Sequence, residues 1–385
     1  MALKAAKRAA IPPFIAMEVL RAANEHAAAG ARVLHLEVGQ PDTGAPAAVI
    51  EAAMAALKDH RLGYTEALGI PPLRQAIAAH YRNSYGLEVD PARVVVTTGS
   101  SGAFMLAFIA AFEAGDRVAL AAPGYPAYRN ILLALDVEPV DLPAGPESHF
   151  QPTPALLDGV SGQVDGLIVA SPSNPAGSML SRRELAALVD CCRERGIRLI
   201  SDEIYHGIVY EGAATSAAGL DENTIVVNSF SKYFSMTGWR LGWMLVPPDL
   251  ARAVECLAQN LFISPPTLPQ LAAAAAFDCK AELDGHVARY RRNRDLLLAE
   301  LPKAGFARFA PADGAFYLYA DVGHMTEDSE EFCRRMLAET GVAATPGVDF
   351  DRLRGNRFLR FSYAGATAEM AEATERLIAW RQKNA

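Results

Sequence analysis

Six short runs of apolar and β-branched residues constrain the fold of this chain more than any other feature. They cover residues 94–97, 118–121, 166–170, 198–201, 224–228 and 241–246, and helical patterns separate them. Strands that alternate with helices are joined by right-handed crossovers, which place helices on both faces of a mostly parallel sheet. One intervening helix carries its own punctuation. Ser181 and Glu184 form a capping box that opens a segment running to Arg195, and Gly196 closes it.

The rhythm changes after about Leu283. A charged helix over 287–301 is followed by an apolar run at 316–321, a helix over 329–340, a strand at 358–363 and a terminal helix over 367–381. This is an α+β order, and no internal repeat runs through the chain. The expected fold is therefore α/β: a large domain over 46–285 with a mostly parallel, doubly covered sheet, and a smaller α+β domain built from 1–45 and 286–385.

Composition narrows the function. With 385 residues, 51% of them hydrophobic, the chain can bury one large core or two ordinary ones. Asp and Glu outnumber Lys and Arg by 44 to 36, the net charge is −8, and like charges do not cluster, so nucleic acid is not the expected partner. The cysteines (191, 192, 256, 279 and 333) are scattered without a Cys-x-x-Cys pair. That pattern fits reduced thiols in a cytoplasmic setting better than disulfides or a metal site. Two uncharged stretches, 94–112 and 256–277, are broken by Thr-Thr-Gly-Ser-Ser-Gly in the first and by Gln259, Asn260, Gln270 and three prolines in the second. Neither reads as a membrane span. Near the N-terminus, Pro12 and Pro13 interrupt the apolar stretch after Lys4, Lys7 and Arg8, so no export signal is expected.

In an open parallel sheet, ligands bind beyond the carboxyl ends of the strands, so polar residues just after each apolar run are the candidates. Thr98-Gly99-Ser100-Ser101-Gly102 leads into a helix with Phe104, Phe108 and Phe112 on one face. Free amides and the dipole at such a helix start suit a phosphate, although small-residue turns also cap ordinary helices. Asp202, Glu203, Ile204 and Tyr205 follow the run at 198–201. For an isolated Asp at such a place, capping of the next turn is the commoner role. Lys232 lies in Ser229-Phe230-Ser231-Lys232-Tyr233-Phe234-Ser235, ahead of Gly238-Trp239-Arg240. A lysine among Phe230, Tyr233 and Phe234 loses hydration, which lowers its pKa and frees a nucleophilic amine.

Jointly and in order, these stretches resemble the class I and II aminotransferases, pyridoxal-phosphate enzymes of fold type I. The resemblance also rests on Val38-Gly39-Gln40-Pro41-Asp42, on Tyr64 with Gly69 and Leu73-Arg74, and on Pro123-Gly124-Tyr125-Pro126. Ser171-Pro172-Ser173-Asn174-Pro175-Ala176-Gly177, Gly314-Ala315-Phe316-Tyr317 and Arg360-Phe361-Ser362-Tyr363-Ala364 complete it.

The resemblance implies a role for each matched position. Lys232 would carry pyridoxal 5′-phosphate covalently and, once released by the substrate amine, move the Cα proton. Asp202 would pair with the pyridine nitrogen, Tyr205 and Asn174 would hold the ring hydroxyl oxygen, and Tyr125 would stack on the ring. Ser100, Ser101, Ser229, Ser231 and Arg240 would hold the phosphate. Arg360, helped by Gly39 and Asn174, would take the substrate α-carboxylate. Tyr64 would reach the phosphate of the neighbouring subunit, which implies a homodimer. An amino acid and a 2-oxo acid would be the substrates, in a ping-pong exchange.

Two departures bear on specificity. Gly99-Ser100-Ser101-Gly102 leaves room beside the phosphate where many relatives have a longer side chain. Residues 257–271, where dicarboxylate-specific relatives often place an arginine, contain no cation, and Ile11-Pro12-Pro13-Phe14-Ile15 is apolar. Neutral donors are therefore expected. The same scaffold could instead run β-elimination on cysteine conjugates. An effector-sensing transcription regulator is a more distant alternative, disfavoured by the acidic chain and by the roughly forty residues that precede Gly39.

Overall fold

The computed structural model describes residues 3–383. After a two-residue strand, β1 (Leu34–His35), come the strands of a seven-stranded sheet. They are β2 (Val94–Thr97), β3 (Arg117–Ala122), β4 (Glu138–Pro143), β5 (Gly166–Ala170), β6 (Arg198–Asp202), β7 (Ile225–Ser229) and β8 (Gly242–Leu245). Their spatial order is β2-β8-β7-β6-β5-β3-β4. β8 is antiparallel to both β2 and β7, and the other pairs are parallel. The expected α/β architecture is what the chain adopts.

Both faces of the sheet are buried, because successive side chains of each continuous apolar run point to opposite faces. Val96, Leu167, Val169, Val226 and Trp243 pack with Leu73, Ile77 and Tyr81 of the helix Pro71–Tyr85 and with Leu185 and Leu188 of the helix Arg182–Arg195. Val95, Ile168, Val227 and Met244 point the other way, onto Phe104 and Phe108 of the helix Gly99–Ala111 and Tyr128 of the helix Pro126–Ala134. Each fully buried phenylalanine of that face contributes about 1.5–3 kcal/mol over an exposed one. The capping box at Ser181 and Glu184 forms, and Gly196 ends that helix in the left-handed conformation.

Two elements differ from the sequence reading. β4 shows no strand signal because Pro139 and Pro143 lack a donor and Glu138 and Asp141 break the apolar run. Pairing with β3 alone makes it an edge strand, where prolines are tolerated. The long charged helix spans Lys280–Glu300, so it starts ahead of residue 287. Gly285 weakens the local propensity, and burial of Leu283 in the core compensates.

The C-terminal part adds β9 (Tyr317–Asp321), β10 (Val342–Ala343), β11 (Thr345–Pro346) and β12 (Phe358–Ser362). β12 lies between β11 and β9 in an antiparallel sheet. β1 pairs with β10 in parallel, and Ser362 N donates to Leu36 O at 2.7 Å. The N-terminal segment is thus tied to the C-terminal sheet. An apolar cluster of Leu34, Leu36, Phe306, Phe316, Met336 and Phe361 also takes in Ile204, Tyr205 and Ile208, which follow β6. Among the described residues no helix is long and apolar enough to cross a membrane.

Candidate active site

The carboxyl edge of the parallel strands gathers most of the candidate residues. β6 ends in Asp202 with Tyr205 just beyond, β7 ends in Ser229 ahead of Ser231 and Lys232, β5 leads to Asn174, and β3 leads to Tyr125. β2 feeds the helix that begins at Gly99, which places Ser100 and Ser101 in its first turn. Because β8 runs the opposite way, its amino end lies on this same edge and delivers Arg240. Gly39 and Arg360 arrive from the other side, from the segment after β1 and from β12.

Asp202 is buried, and burial pushes its carboxyl up to about 6. The hydroxyl of Tyr128 donates to Oδ2, while Oδ1 accepts from the Ile204 amide at 3.1 Å. Asp202 therefore caps the following turn with one oxygen and keeps further lone pairs free to accept. Tyr128 carries no sequence motif of its own. Its signal is the three-residue spacing from Tyr125, which places both rings on one helix face, 5.2 Å apart.

Lys232 is half-buried and its Nζ donates to Gly39 O at 2.7 Å. Burial, aided by the charges of Arg360 and Arg240 and opposed by Asp202, lowers its pKa to about 8. The sequence reading assigned this desolvation to Phe230, Tyr233 and Phe234. Phe230 and Phe234 instead pack on Trp243 and Phe277 in the core, and the rings near Nζ are Tyr205 at 5.8 Å and Phe316 at 6.0 Å.

Ser229, Ser231, Arg240 and the start of the helix Gly99–Ala111 form an anion cradle. Ser229 Oγ donates to Ser231 Oγ at 2.9 Å and accepts from the Ser231 amide at 3.1 Å. A side chain at Gly99, which has φ +73°, would lie 2.5 Å from the Arg240 guanidinium, and one at Gly242 would lie 2.9 Å from the Ser100 amide nitrogen. Both glycines keep the guanidinium and the helix amides close together. Arg240 has no acidic group within ion-pair distance among the described residues; its Nη1 donates to Thr237 O at 3.0 Å. Donors without an acid to pair with suit a phosphate.

Arg360 is buried between the rings of Tyr317 at 4.5 Å and Phe350 at 4.7 Å. Its Nη1 donates to Asn174 Oδ1 at 2.8 Å, its Nη2 bonds Glu37 O and Thr345 Oγ1, and its Nε has no partner. No carboxylate of the described residues pairs with it. A buried guanidinium left in this state is ready for an incoming carboxylate. Arg352 and Arg357 are exposed and Arg354 pairs with Asp351, so burial separates Arg360 from its neighbours. Tyr205 OH and Tyr317 OH lie 2.7 Å apart, and a side chain at Gly39 would strike the Tyr317 hydroxyl. Tyr317 and Tyr128 are the contacts that sequence reasoning left without a role.

Tyr64 stands apart from this assembly. It is 84% exposed and, among the described residues, makes no hydrogen bond or ring contact.

The chain matches, over residues 31–377, the family described as aminotransferase class I and II. It belongs to that family. A valine–pyruvate aminotransferase of Mycobacterium tuberculosis is 52% identical over 381 residues, covering 98% of each chain. The crystal structure of an aminotransferase from M. tuberculosis superposes with a TM-score of 0.97 at 52% identity, over 99% of this chain and all of that one. A putative aminotransferase from Silicibacter pomeroyi gives 0.93, also at 52% identity and with the same coverage.

The protein is thus a pyridoxal-phosphate-dependent aminotransferase of fold type I. The aminotransferase's own residues fit that cofactor. It has an anion cradle held open by Gly99 and Gly242, and a buried carboxylate and the cradle's Arg240 both act electrostatically on a low-pKa lysine. When bound, pyridoxal phosphate supplies an electron-accepting ring conjugated to the amino group being moved.

Proposed function

We propose that this aminotransferase moves the amino group of a neutral L-amino acid, of which valine is the type, to a 2-oxo acid such as pyruvate by a ping-pong exchange. The observation that carries the reading is Arg360, a buried guanidinium with no carboxylate partner among the described residues, able to take one substrate carboxylate. Residues 257–271 offer no second cation, and burying a side-chain carboxylate unpaired would cost several kcal/mol. The identity to a valine–pyruvate aminotransferase points the same way.

In this reading Lys232 anchors the cofactor and then carries the proton at Cα, a role suited to an amine whose pKa is lowered to about 8. Asp202 keeps a negative charge opposite the ring nitrogen, Tyr205 and Asn174 bond the ring hydroxyl oxygen, and Tyr125 covers the ring face. Ser100, Ser101, Ser229, Ser231 and Arg240 hold the phosphate. Arg360, Asn174 and the Gly39 amide orient the α-carboxylate.

The working unit in this reading is a homodimer in which Tyr64 serves the partner's phosphate site. Support comes from an exposed apolar set: Ile50, Met54 and Leu57 on one face of the helix Ala47–Asp59, together with Tyr64, Leu261 and Ile263. The Thr65 amide bonds Ser264 Oγ at 3.4 Å, so Tyr64 and Ile263 belong to one surface. Residues 46–285 would form the large domain, and 1–45 with 286–385 the small one; Met1, Ala2, Asn384 and Ala385 lie outside the described residues. The five unpaired cysteines favour a reducing, cytoplasmic setting.

A donor screen read from the cofactor's absorbance tests this function. Valine, alanine and leucine should convert the enzyme to its amino form with higher specificity constants than aspartate, and pyruvate should reverse the change. A higher constant for aspartate overturns the donor class. Steady release of ammonia without a 2-oxo acid acceptor would overturn transamination in favour of elimination.

A further inference from the structure

His206 follows Tyr205 in the chain and is buried where three elements meet. Its Nε2 lies 3.0 Å from Ser171 O, and its Nδ1 lies 2.8 Å from the hydroxyl of Tyr85, the last residue of the helix Pro71–Tyr85. A carbonyl only accepts, so Nε2 carries the ring proton and Nδ1 keeps its lone pair. Tyr85 must then donate to Nδ1. Burial lowers the imidazole pKa to about 4 and raises that of the Tyr85 hydroxyl, so both groups stay in the forms this arrangement needs. Glu203 also faces the ring, with Oε2 3.6 Å from Nδ1. Burial pushes its carboxyl up to about 8, while Oε1 accepts from Ala217 N at 2.8 Å and from Ser201 Oγ at 3.2 Å. His80, lowered to about 4 by burial, is uncharged as well. At neutral pH, therefore, no anion draws a second proton onto His206.

The carbonyl that His206 bonds belongs to the segment that carries Asn174. The Ser171 amide donates to Asp202 O at 3.3 Å, so both backbone groups of Ser171 are held by residues of the turn after β6, the turn of Asp202 and Tyr205. Three residues on, Asn174 Oδ1 accepts from Arg360 Nη1 at 2.8 Å, and Tyr205 OH lies 2.7 Å from Tyr317 OH. The placement of Asn174 relative to Tyr205 thus depends on how Ser171 sits against His206.

We propose that His206 is a positioning residue for the two side chains assigned to the cofactor's ring hydroxyl oxygen. Its bond to Ser171 O sets the turn of Asn174 against the turn of Tyr205, and the Tyr85 hydroxyl keeps the imidazole in the one tautomer that can make that bond. The inference rests on the reading that Tyr205 and Asn174 hold that oxygen, and adds what fixes their spacing.

The test titrates the holoenzyme by absorbance. A bond donated to the ring hydroxyl oxygen favours its ionised form, so the pH at which the bound cofactor changes absorbance reports on both donors. Tyr205→Phe should raise that pH by about one unit. His206→Phe keeps a buried ring but cannot bond Ser171 O; it should raise the pH by about half a unit or more and lower kcat/KM roughly tenfold. His206→Gln, whose amide can still donate to Ser171 O, should recover most of both changes, and Tyr85→Phe should shift the titration the same way by less. Nitrogen-15 spectra of the cofactor-free wild type should show a neutral His206 ring with its proton on Nε2 down to about pH 5. An unshifted titration in His206→Phe would overturn the proposal, as would an imidazolium or a proton on Nδ1 at neutral pH in the wild type. If His206→Phe does not fold, an unshifted Tyr85→Phe overturns it in the same way. An unshifted Tyr205→Phe would instead overturn the assignment of Tyr205 to the ring oxygen, whatever the His206 variants do.

Discussion

Lys232 Nζ donates to the backbone carbonyl of Gly39 at 2.7 Å, joining the loop after β7 to the segment after β1. Tyr317 closes the same junction, because a side chain at Gly39 would lie 1.7 Å from its hydroxyl. Gly39 is therefore required by space. Gly39→Ala should displace Tyr317 and the segment that carries the lysine's acceptor, with a loss in kcat/KM of about a hundredfold. Tyr317→Phe in the same chain should recover part of that loss. Unchanged kinetics in Gly39→Ala would show that the junction is looser than these distances imply.

The lysine's pKa yields a pH dependence. Its amine is lowered to about 8, so the nucleophilic, unprotonated form dominates above that pH and fades below it. Covalent attachment of pyridoxal phosphate to the cofactor-free enzyme should accelerate as pH rises through about 8 and then level off. An ordinary lysine would keep accelerating toward about pH 10.4. Stopped-flow absorbance separates the two profiles, and Lys232→Ala should give no covalent attachment while unfolding as cooperatively as the wild type.

Asp202 and Tyr128 form a pair whose members should fail differently. Asp202→Asn removes the charge and keeps the shape, so the half-reaction should slow by roughly a hundred- to thousandfold while cofactor affinity changes little. Tyr128→Phe removes a hydrogen bond that favours the charged carboxylate, and the Asp202 carboxyl, already pushed up to about 6 by burial, must rise further. Activity that depends on the carboxylate is present above that pKa and lost below it. The acidic limb of the pH–rate profile should therefore move to higher pH, by about one unit for a buried bond to a charged group. A fixed acidic limb in Tyr128→Phe would exclude Tyr128 from this role.

Tyr64 allows a test of the dimer. A heterodimer of one Lys232→Ala chain and one Tyr64→Ala chain, each strongly impaired as a homodimer, contains one site with both native residues if Tyr64 acts across the interface. Activity should then recover toward half per dimer. If Tyr64 serves its own chain, every site stays damaged and differential-tag purification yields an inactive heterodimer.

Much of this architecture was legible along the chain. The strands at 94–97 and 166–170 and the helix at 329–340 have the observed bounds, because each is a continuous apolar or amphipathic run ended by its own turn or cap. β4 was not legible, since edge strands tolerate the prolines that a central strand excludes. Among the site residues, those after strand ends stood out by position. Tyr128 and His206 did not, because each acts on a group distant in sequence: Asp202 in one case, the Ser171 carbonyl in the other.

The sequence by itself determined the α/β class, the edge of the sheet that would carry polar groups, and the order of residues along it. Those follow from periodicity and turn chemistry, which are local. Only the tertiary structure decided that Arg360 is buried with no carboxylate of the described residues beside it, and that Tyr205 and Phe316, rather than Phe230 and Phe234, lie near the Lys232 amine. It also decided that Asp349 caps a helix 334 residues away. Burial, dielectric and charge pairing depend on which distant segments meet, and local pattern carries no information about that.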